Sequence, residues 1–352
     1  MTEQSKQSVP DEIQEEELFE HYRFVADPGQ SLMRIDKFLV HKMSNISRTR
    51  IQSAAEAGNI RVNNLVVKPS YKVKPNDVIT ILLSYPKIEF ELIPQDIPLN
   101  IVYEDEDLLI VNKNPGMVVH PSFGHYDNTL VNALAYHLNG NEMFSGKDMR
   151  PGLVHRIDKD TSGLLVIGKT EFALSFLGKQ FYNHSIQRTY QALIWGEPET
   201  DEGTITGYIG RNKHNRKIMD VYDNEEDGKY SITHYKVLEK FSYVTLVECR
   251  LETGRTHQIR AHFKHIGFPL FNDADYGGDK ILKGTIFTKY KQFVQNCFNI
   301  CPRQALHAKS LGFIHPKTKK EVFFNSELPE DINSCIDKWR RYSNYQSINN
   351  ED

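Results

Sequence analysis

Residues 150–169 read RPGLVHRIDKDTSGLLVIGK. A polar turn with acids, a histidine, two hydroxyls and a glycine lies between two apolar runs, Leu153-Val154 and residues 164–167. This pattern predicts two strands joined by a loop. Loops held by rigid strands often carry the chemistry of a protein, although acids and hydroxyls in a turn can also serve only to bond the backbone. The stretch is therefore a candidate site, with simple turn formation as the alternative.

The order of residues in this turn favours the functional interpretation. The run His155-Arg156-Ile157-Asp158, followed by Thr161-Ser162-Gly163, closely resembles the His-Arg-Leu-Asp-x-x-Thr-Ser-Gly signature of the RluA family of pseudouridine synthases. In that family the aspartate is the essential catalytic residue, so the resemblance implies this role for Asp158. Arg156 is a candidate wedge for an extruded base, because a guanidinium both stacks and donates hydrogen bonds. We include His155 among the candidate substrate contacts.

Length and composition indicate a globular protein with two domains. The chain has 352 residues, of which 39% are hydrophobic and 25% are charged, which is typical of soluble proteins. We predict an acidic disordered tail at 1–17, a small domain with its linker at 18–92, a catalytic domain at 93–343 and a polar tail at 344–352. The linker contains Pro86, Pro94 and Pro98.

Targeting signals and metal motifs are not apparent in the sequence. No apolar run approaches the length of a membrane span, and residues 1–20 are acidic and unlike a secretory signal. We therefore expect a cytoplasmic protein. The cysteines contain no Cys-x-x-Cys pair, so we expect reduced thiols and no metal site. They are Cys249, Cys297, Cys301 and Cys335.

Charge is unevenly distributed, although the net charge is only -3. Residues 31–74 contain nine basic residues and two acidic ones. The pattern predicts a strand at 18–25, a helix at 34–42, a helix from the cap Ser47 to Ala57 with Gly58 as its stop, and strands at 60–63, 64–67 and 78–83. Two basic helices in tandem follow from this assignment.

The same region resembles the S-four-like RNA-binding domain named after a ribosomal protein. The resemblance lies in RIDKFL (34–39), SRTRIQ (47–52), GNIRVN (58–63) and VKPS (67–70). Basic side chains on paired helices suit phosphate contacts, which give affinity but little sequence information. The alternative is a small scaffold with a solvated basic face. The predicted RNA-binding residues are Arg34, Lys37, Arg48, Arg50 and Lys68.

Further motifs follow in the order that the family has. Residues 101–121 predict a hairpin-like strand that ends at Lys113-Asn114-Pro115-Gly116, where the family usually has Lys-Pro-x-Gly. Apolar helices are predicted at 130–138, after a cap at Asn128 or Thr129, and from Thr170 to about residue 182. The strand at 188–195 resembles the basic-x-Tyr-x-Ala motif, which implies an active-site role for Tyr190. Taken alone, a strand tyrosine is more often core or rim.

The third motif is ETGRTHQIR, residues 252–260. The resemblance implies that Arg260 pairs with the catalytic aspartate and keeps it ionised. The pattern predicts a helix from Thr256 to about Ile266, ended by Gly267, with Ile259, Phe263 and Ile266 facing inward and His257, Arg260 and Lys264 on another face. The alternative for that face is a solvated stripe. Residues 306–309 resemble the closing strand of the family, where Leu306 lines the base pocket.

Together the resemblances imply a fold and a function. The expected class is α+β, with a mixed, mostly antiparallel sheet flanked by helices and preceded by the small α+β RNA-binding domain. The implied reaction converts uridine to pseudouridine in structured RNA without a cofactor. The form of the motifs is most similar to the RluD type, which acts on large-subunit ribosomal RNA. We expect a monomer.

Three alternatives remain at the level of sequence. The same chemistry could act on transfer RNA, or the chain could be a non-catalytic ribosome-binding protein, which would have no reason to keep Asp158, Tyr190 and Arg260 together. An aspartate-nucleophile hydrolase would usually bring metal-binding carboxylates and would not need an RNA module. Which uridines are chosen depends on RNA shape and loops, and side-chain types do not reveal it.

Overall fold

The computed structural model describes residues 19–43, 46–83, 91–121, 126–144 and 150–349. The chain divides after residue 90 into two compact units. The sequence predicts this boundary two residues later, after residue 92. The predicted tail at 1–17 lies outside the described residues, as do residues 350–352.

The first unit is a small α+β domain. Its four-stranded sheet has the order β1-β6-β3-β4, and β2 pairs with β5 beside it. The predicted pair of helices and the main strands are confirmed. The elements are β1 (Phe19–Val25), β2 (Met33–Arg34), α1 (Ile35–Lys42), α2 (Arg48–Glu56), β3 (Ile60–Val62), β4 (Leu65–Val66), β5 (Lys72–Val73) and β6 (Val78–Leu83).

Local sequence explains where α2 begins and ends. The side chain of Ser47 accepts a hydrogen bond from the backbone N–H of Arg50 at 3.3 Å, which satisfies one of the free donors at the start of the helix. Gly58 follows the last turn with φ +78°, a left-handed conformation that favours glycine. Apolar side chains from both helices and from the sheet form the core of this unit, among them Ile35, Leu39, Ile51, Ile60 and Ile79.

The second unit contains a ten-stranded sheet with helices packed against it. The sheet order is β12-β11-β13-β14-β10-β15-β9-β8-β7, and β16 pairs with β15. All its pairings are antiparallel except that of β9 with β15. The elements are β7 (Ile101–Glu104), β8 (Leu108–Lys113), α3 (Leu130–His137), β9 (Ser162–Gly168), α4 (Glu171–Tyr182), β10 (Gln187–Trp195), β11 (Glu202–Arg211), β12 (Met219–Tyr222), β13 (Lys229–Lys240), β14 (Val244–Leu251), α5 (Gln258–His265), α6 (Thr288–Ile300), β15 (Leu306–Ile314), β16 (Glu321–Asn325) and α7 (Glu330–Asn349).

Strand β9 lies in the interior of this sheet, and all seven of its residues are buried. This explains the continuous apolar run in the sequence, since a strand covered on both faces needs no polar alternation. Gly163 has φ +119°, and a Cβ atom there would come within 2.3 Å of the carbonyl oxygen of Ala308. Only glycine fits at this contact, so the end of the loop at 150–161 is fixed against β15.

The prediction of a strand at Leu153-Val154 is wrong. Leu153 makes only an isolated bridge with Ile167, because the chain turns at Gly152, whose φ is +69°. The imidazole Nε2 of His155 accepts the hydrogen bond from the backbone N–H of Val166 at 3.0 Å. A side chain therefore takes the place that a backbone carbonyl of a neighbouring strand would occupy.

The C-terminal helices cover one part of the sheet. The rings of Trp195, Phe271 and Trp339 pack together with side chains of α6 and α7 in a buried cluster. Helix α7 continues to Asn349, beyond the predicted end of the catalytic domain at 343. All four cysteines are free thiols and buried. No helix in the described ranges is long and apolar enough to cross a membrane.

Candidate active site

Two buried cations hold the loop that carries Asp158. Lys113 is only 1% exposed, and its ammonium donates hydrogen bonds to the carbonyls of Asn114, Met117 and Lys159. Burial lowers the pKa of Lys113 to about 7. The guanidinium of Arg303 donates to the carbonyl oxygen of Asp160 at 2.8 Å. The loop backbone is thus fixed at the two residues that follow Asp158, without use of the Asp158 carboxylate.

The hydroxyls of the same loop have structural roles. Ser162 Oγ lies 2.9 Å from Nδ1 of His307, and Thr161 Oγ1 accepts a hydrogen bond from Gln304. Turn formation, the structural alternative for this loop, therefore applies to the hydroxyls. It does not apply to Asp158, whose side chain is 18% exposed and points toward Arg260.

Arg260 is the hub of an acidic cluster. Its Nη1 lies 3.3 Å from Oδ2 of Asp158. Its Nε and Nη2 donate to the two oxygens of Asp273 at 2.7 and 2.8 Å, and Nη2 also donates to Asp275 at 2.7 Å. Burial opposes the charge of Arg260, but the neighbouring carboxylates raise its pKa above the ordinary value. Asp273 therefore holds most of the guanidinium and leaves Nη1 for Asp158.

The surroundings of Arg260 correct the prediction for its helix. Helix α5 begins at Gln258, not at Thr256, because the side chain of Gln258 accepts a hydrogen bond from the N–H of Arg255 and donates to the carbonyl of Ile232. Arg260 is 4% exposed, whereas Lys264 is exposed. The two cations do not share a solvated face, and the alternative of a surface stripe is wrong for Arg260.

Asp273 lends itself to a test, because its role depends on a bidentate geometry. Asp273→Asn is expected to lower the single-turnover rate of the reaction that the motifs imply by about 10- to 100-fold. Arg260 then loses the pair of charged hydrogen bonds that orients it, and small displacements in an active site can lower a rate about 100-fold. The matched control is Asp275→Asn, because Asp275 bonds the same guanidinium but is half exposed, and it should stay within about threefold of wild type. Equal rates for the two variants would contradict the assigned role.

Tyr190 and Leu306 border the same space. Asp158 and Tyr190 line a cleft of about 700 Å³, whose rim includes Arg156 and Tyr182. A smaller recess of about 60 Å³ adjoins it, and Asp158, Tyr190, Arg260 and Leu306 all line this recess. Tyr190 is 7% exposed, and burial raises its pKa, so its phenol is protonated at neutral pH. The structure brings the three predicted catalytic residues and Leu306 to one place.

His155 and Arg156 occupy different positions at this cleft. The ring of His155 stacks on Phe181 with 4.6 Å between ring centroids, and its Nε2 is engaged with Val166. Burial lowers the pKa of His155 to about 3, so the ring is neutral. This residue holds the loop to the sheet. Arg156 is exposed at the edge of the cleft, where a wedge for an extruded base would stand.

In the first unit, two of the five predicted RNA-binding residues are committed to an ion pair. Arg34 and Arg48 both donate to the buried carboxylate of Asp36, each with a shortest distance of 2.9 Å. The hydrogen bond from Arg34 is the main reason that the pKa of Asp36 lies well below its ordinary value. Lys37, Arg50 and Lys68 are exposed, and none of them forms an ion pair with a residue that the structure describes. Fewer basic side chains of this unit are therefore available to bind RNA than the number of basic residues in the sequence predicted.

Sequence reasoning missed Asp273, Asp275 and Tyr276. They lie in the segment FNDADYGG, residues 271–278, which ends with two glycines. Two acids that follow the apolar pair Leu270-Phe271 within four residues are a recognisable signal for a partner of a buried cation. The distance of 13 residues from Arg260 gives no periodicity that would point to the contact.

Comparisons with known proteins give matches to both units of the chain. The family model described as RNA pseudouridylate synthase matches residues 107–265, and the S4 domain model matches residues 33–79. The chain is 42% identical over 313 residues to an uncharacterized RNA pseudouridine synthase of Chlorobaculum parvum, which covers 88% of this chain and 95% of that protein. It is 43% identical over 306 residues to ribosomal large subunit pseudouridine synthase D of Zymomonas mobilis, which covers 85% and 91% of the two chains.

Among solved structures, human RNA pseudouridylate synthase domain containing 1 resembles the chain with a TM-score of 0.51 and 26% identity, over 68% of this chain and 89% of that one. Fold, site and relatives together define an RNA-modifying isomerase. The chain belongs to the RluA family of RNA pseudouridine synthases and carries an S4 domain at its N-terminal side. The predictions of fold class and of enzyme class are confirmed.

Proposed function

We propose that this chain converts uridine to pseudouridine in large-subunit ribosomal RNA and that Asp158 is the catalytic carboxylate. One observation carries the proposal: Asp158, Tyr190, Arg260 and Leu306 line one recess beside an open cleft. The large-subunit target is supported by the name of the Zymomonas mobilis relative. We place the chain in the cytoplasm and expect it to act as a monomer.

The reaction needs no cofactor, because it is an internal rearrangement. The bond between N1 of uracil and C1′ of ribose breaks, the base turns, and a bond forms between C5 and C1′. The proton on C5 leaves and N1 gains a proton, so atoms and electrons balance without an oxidant or a metal. What the protein must supply is access to the base, a group that acts on the sugar, and proton transfer.

The residues of the recess match these needs. Asp158 either attacks C1′ or removes a proton from the sugar, and both routes require an ionised carboxylate. Arg260 Nη1 at 3.3 Å stabilises that charge. Tyr190 holds a protonated phenol in the recess, which can exchange a proton with the base. Arg156 at the cleft edge would fill the place of the base in the RNA stack.

Tritium release tests the proposal. Uridine labelled at C5 loses its tritium to water when C5 bonds to C1′, so purified protein is mixed with labelled large-subunit ribosomal RNA or with labelled transfer RNA. We expect release from ribosomal RNA without added cofactor. Release from transfer RNA alone would move the target, and binding without release from either RNA would favour the non-catalytic alternative.

The basic helices give a separate prediction. Lys37→Ala combined with Arg50→Ala should weaken RNA binding and flatten its dependence on the logarithm of salt concentration by about one unit for each lost phosphate contact. Both side chains are exposed, so the fold should be unaffected. The control is Arg23→Ala, because Arg23 is exposed in β1 but paired with Glu20. If the RNA affinity and its salt dependence are both unchanged in the double variant, the first unit does not bind RNA through these helices.

A further inference from the structure

His257 lies between the acidic cluster and Asp158 in an unusual backbone conformation. It directly precedes α5 with φ +52°, in the left-handed region that residues other than glycine seldom adopt, although asparagine, aspartate and histidine do so more often than the rest. Such conformations persist where surrounding contacts demand them, and they concentrate at functional sites. Its side chain is 16% exposed, and Nε2 lies 3.8 Å from Oδ2 of Asp158. The other ring nitrogen, Nδ1, lies 3.0 Å from Oη of Tyr276.

The contacts of Tyr276 favour one tautomer of the His257 ring. The backbone N–H of Met219 donates to Oη of Tyr276 at 2.9 Å, so the hydroxyl already accepts one hydrogen bond. Among the described residues, Nδ1 of His257 is the one acceptor within hydrogen-bond distance of this hydroxyl, so we assign the hydroxyl proton to that contact. A neutral imidazole donates from one nitrogen and accepts at the other, so the ring proton then lies on Nε2. The opposite tautomer would direct the Nε2 lone pair at the carboxylate of Asp158.

The charges around the ring are consistent with a neutral form. Burial is the main cause that lowers the pKa of His257, and Arg260 acts in the same direction, whereas Asp158, Asp275 and Asp273 oppose it. Burial also raises the pKa of Tyr276, so the phenol keeps its proton. These are the groups that face the ring from the loop of Asp158, from α5 and from the segment after it.

We propose that His257 is a positioning residue that directs an Nε2–H donor at the catalytic carboxylate, with its tautomer fixed by Tyr276 and Met219. The inference rests on the proposed role of Asp158. A second donor beside Arg260 fixes the orientation of the carboxylate without a second full positive charge, which would weaken it as a nucleophile or base. The separation of 3.8 Å is longer than a hydrogen bond, as catalytic contacts in substrate-free sites commonly are.

Two amide substitutions distinguish the role of Nε2 from that of Nδ1. The amide nitrogen of Gln reaches the position of Nε2, whereas that of Asn reaches only the position of Nδ1. Asn also tolerates positive φ well, so a defect of His257→Asn cannot be assigned to backbone strain. His257→Asn is expected to lose about 10- to 100-fold in single-turnover rate with RNA affinity within about twofold of wild type. His257→Gln should recover most of that rate. His265→Asn, at the exposed last residue of α5, is the control.

The tautomer itself can be measured in the wild-type protein. In protein labelled with ¹⁵N-histidine, the spectrum that links ring nitrogens to ring protons reports which nitrogen is protonated, and the His257→Gln spectrum identifies the signal. A proton on Nε2 near pH 7 is expected. A proton on Nδ1, or equal rates for the Asn and Gln variants, would overturn the proposal. Turnover by Asp158→Asn would instead refute the proposed function, whatever the tautomer.

Discussion

The Asp158→Asn variant is expected to bind RNA within about twofold of wild type and to release no tritium above background. Asparagine keeps the size of the side chain and a hydrogen bond to Arg260, but it can neither attack a sugar carbon nor remove a proton. The loop should keep its conformation, because Lys113 and Arg303 bond to its backbone carbonyls. Neither of these bonds involves the carboxylate of Asp158. RNA affinity and single-turnover release, measured on the same preparation, separate chemistry from binding.

Asp160→Asn is the matched control for that experiment. Asp160 lies on the same loop, and it lines neither the cleft nor the recess. Its carbonyl oxygen, which accepts from Arg303, is unchanged by the substitution. A rate within about threefold of wild type is expected for the control. Turnover by Asp158→Asn above a few per cent of the control would contradict the assignment of Asp158.

Tyr190→Phe is expected to keep RNA affinity and to lose about 100-fold or more in single-turnover rate, the usual scale of acid–base contributions. Phenylalanine preserves the ring that stacks on a base and removes only the hydroxyl. That hydroxyl lies in a buried position where its proton is retained at neutral pH. The loss should therefore fall on the chemical step.

Tyr182→Phe provides the comparison, since Tyr182 lines the rim of the same cleft and is 83% exposed. It should change the rate by less than about threefold. If Tyr190→Phe also stays within threefold, Tyr190 is a stacking platform, and Asp158 and Arg260 remain as the only chemical pair.

Local rules predicted most of the secondary structure. Ser47 and Gly58 bound a helix where the sequence places them, and the apolar run at 164–167 forms a buried strand. The strand predicted at Leu153-Val154 does not form, because the chain turns at Gly152 and the ring of His155 accepts the hydrogen bond from the N–H of Val166 that a strand carbonyl would accept. No periodic pattern in a sequence indicates a side chain that replaces backbone in this way. Propensity describes a segment, whereas this contact depends on another segment of the fold.

The candidate site could be predicted only in part, because some of its contacts also join segments that are distant in the sequence. Motifs identified Asp158, Tyr190 and Arg260, and the structure brings them to one recess. The sequence could not show that two nitrogens of Arg260 donate hydrogen bonds to Asp273, because that carboxylate comes from a different segment. In the first unit, the buried position of Asp36 between two arginines was likewise hidden, and a count of charges overstated the free cations.

The central claim is that the chain makes pseudouridine in large-subunit ribosomal RNA through Asp158. Chemical mapping of pseudouridine in ribosomal and transfer RNA tests it most directly, in cells that have the gene, lack it, or carry it with Asp158→Asn. The account predicts that pseudouridine disappears from the large-subunit RNA without the gene, returns with the wild-type gene and stays absent with Asp158→Asn. Unchanged large-subunit RNA in cells without the gene, or full restoration by Asp158→Asn, would contradict it.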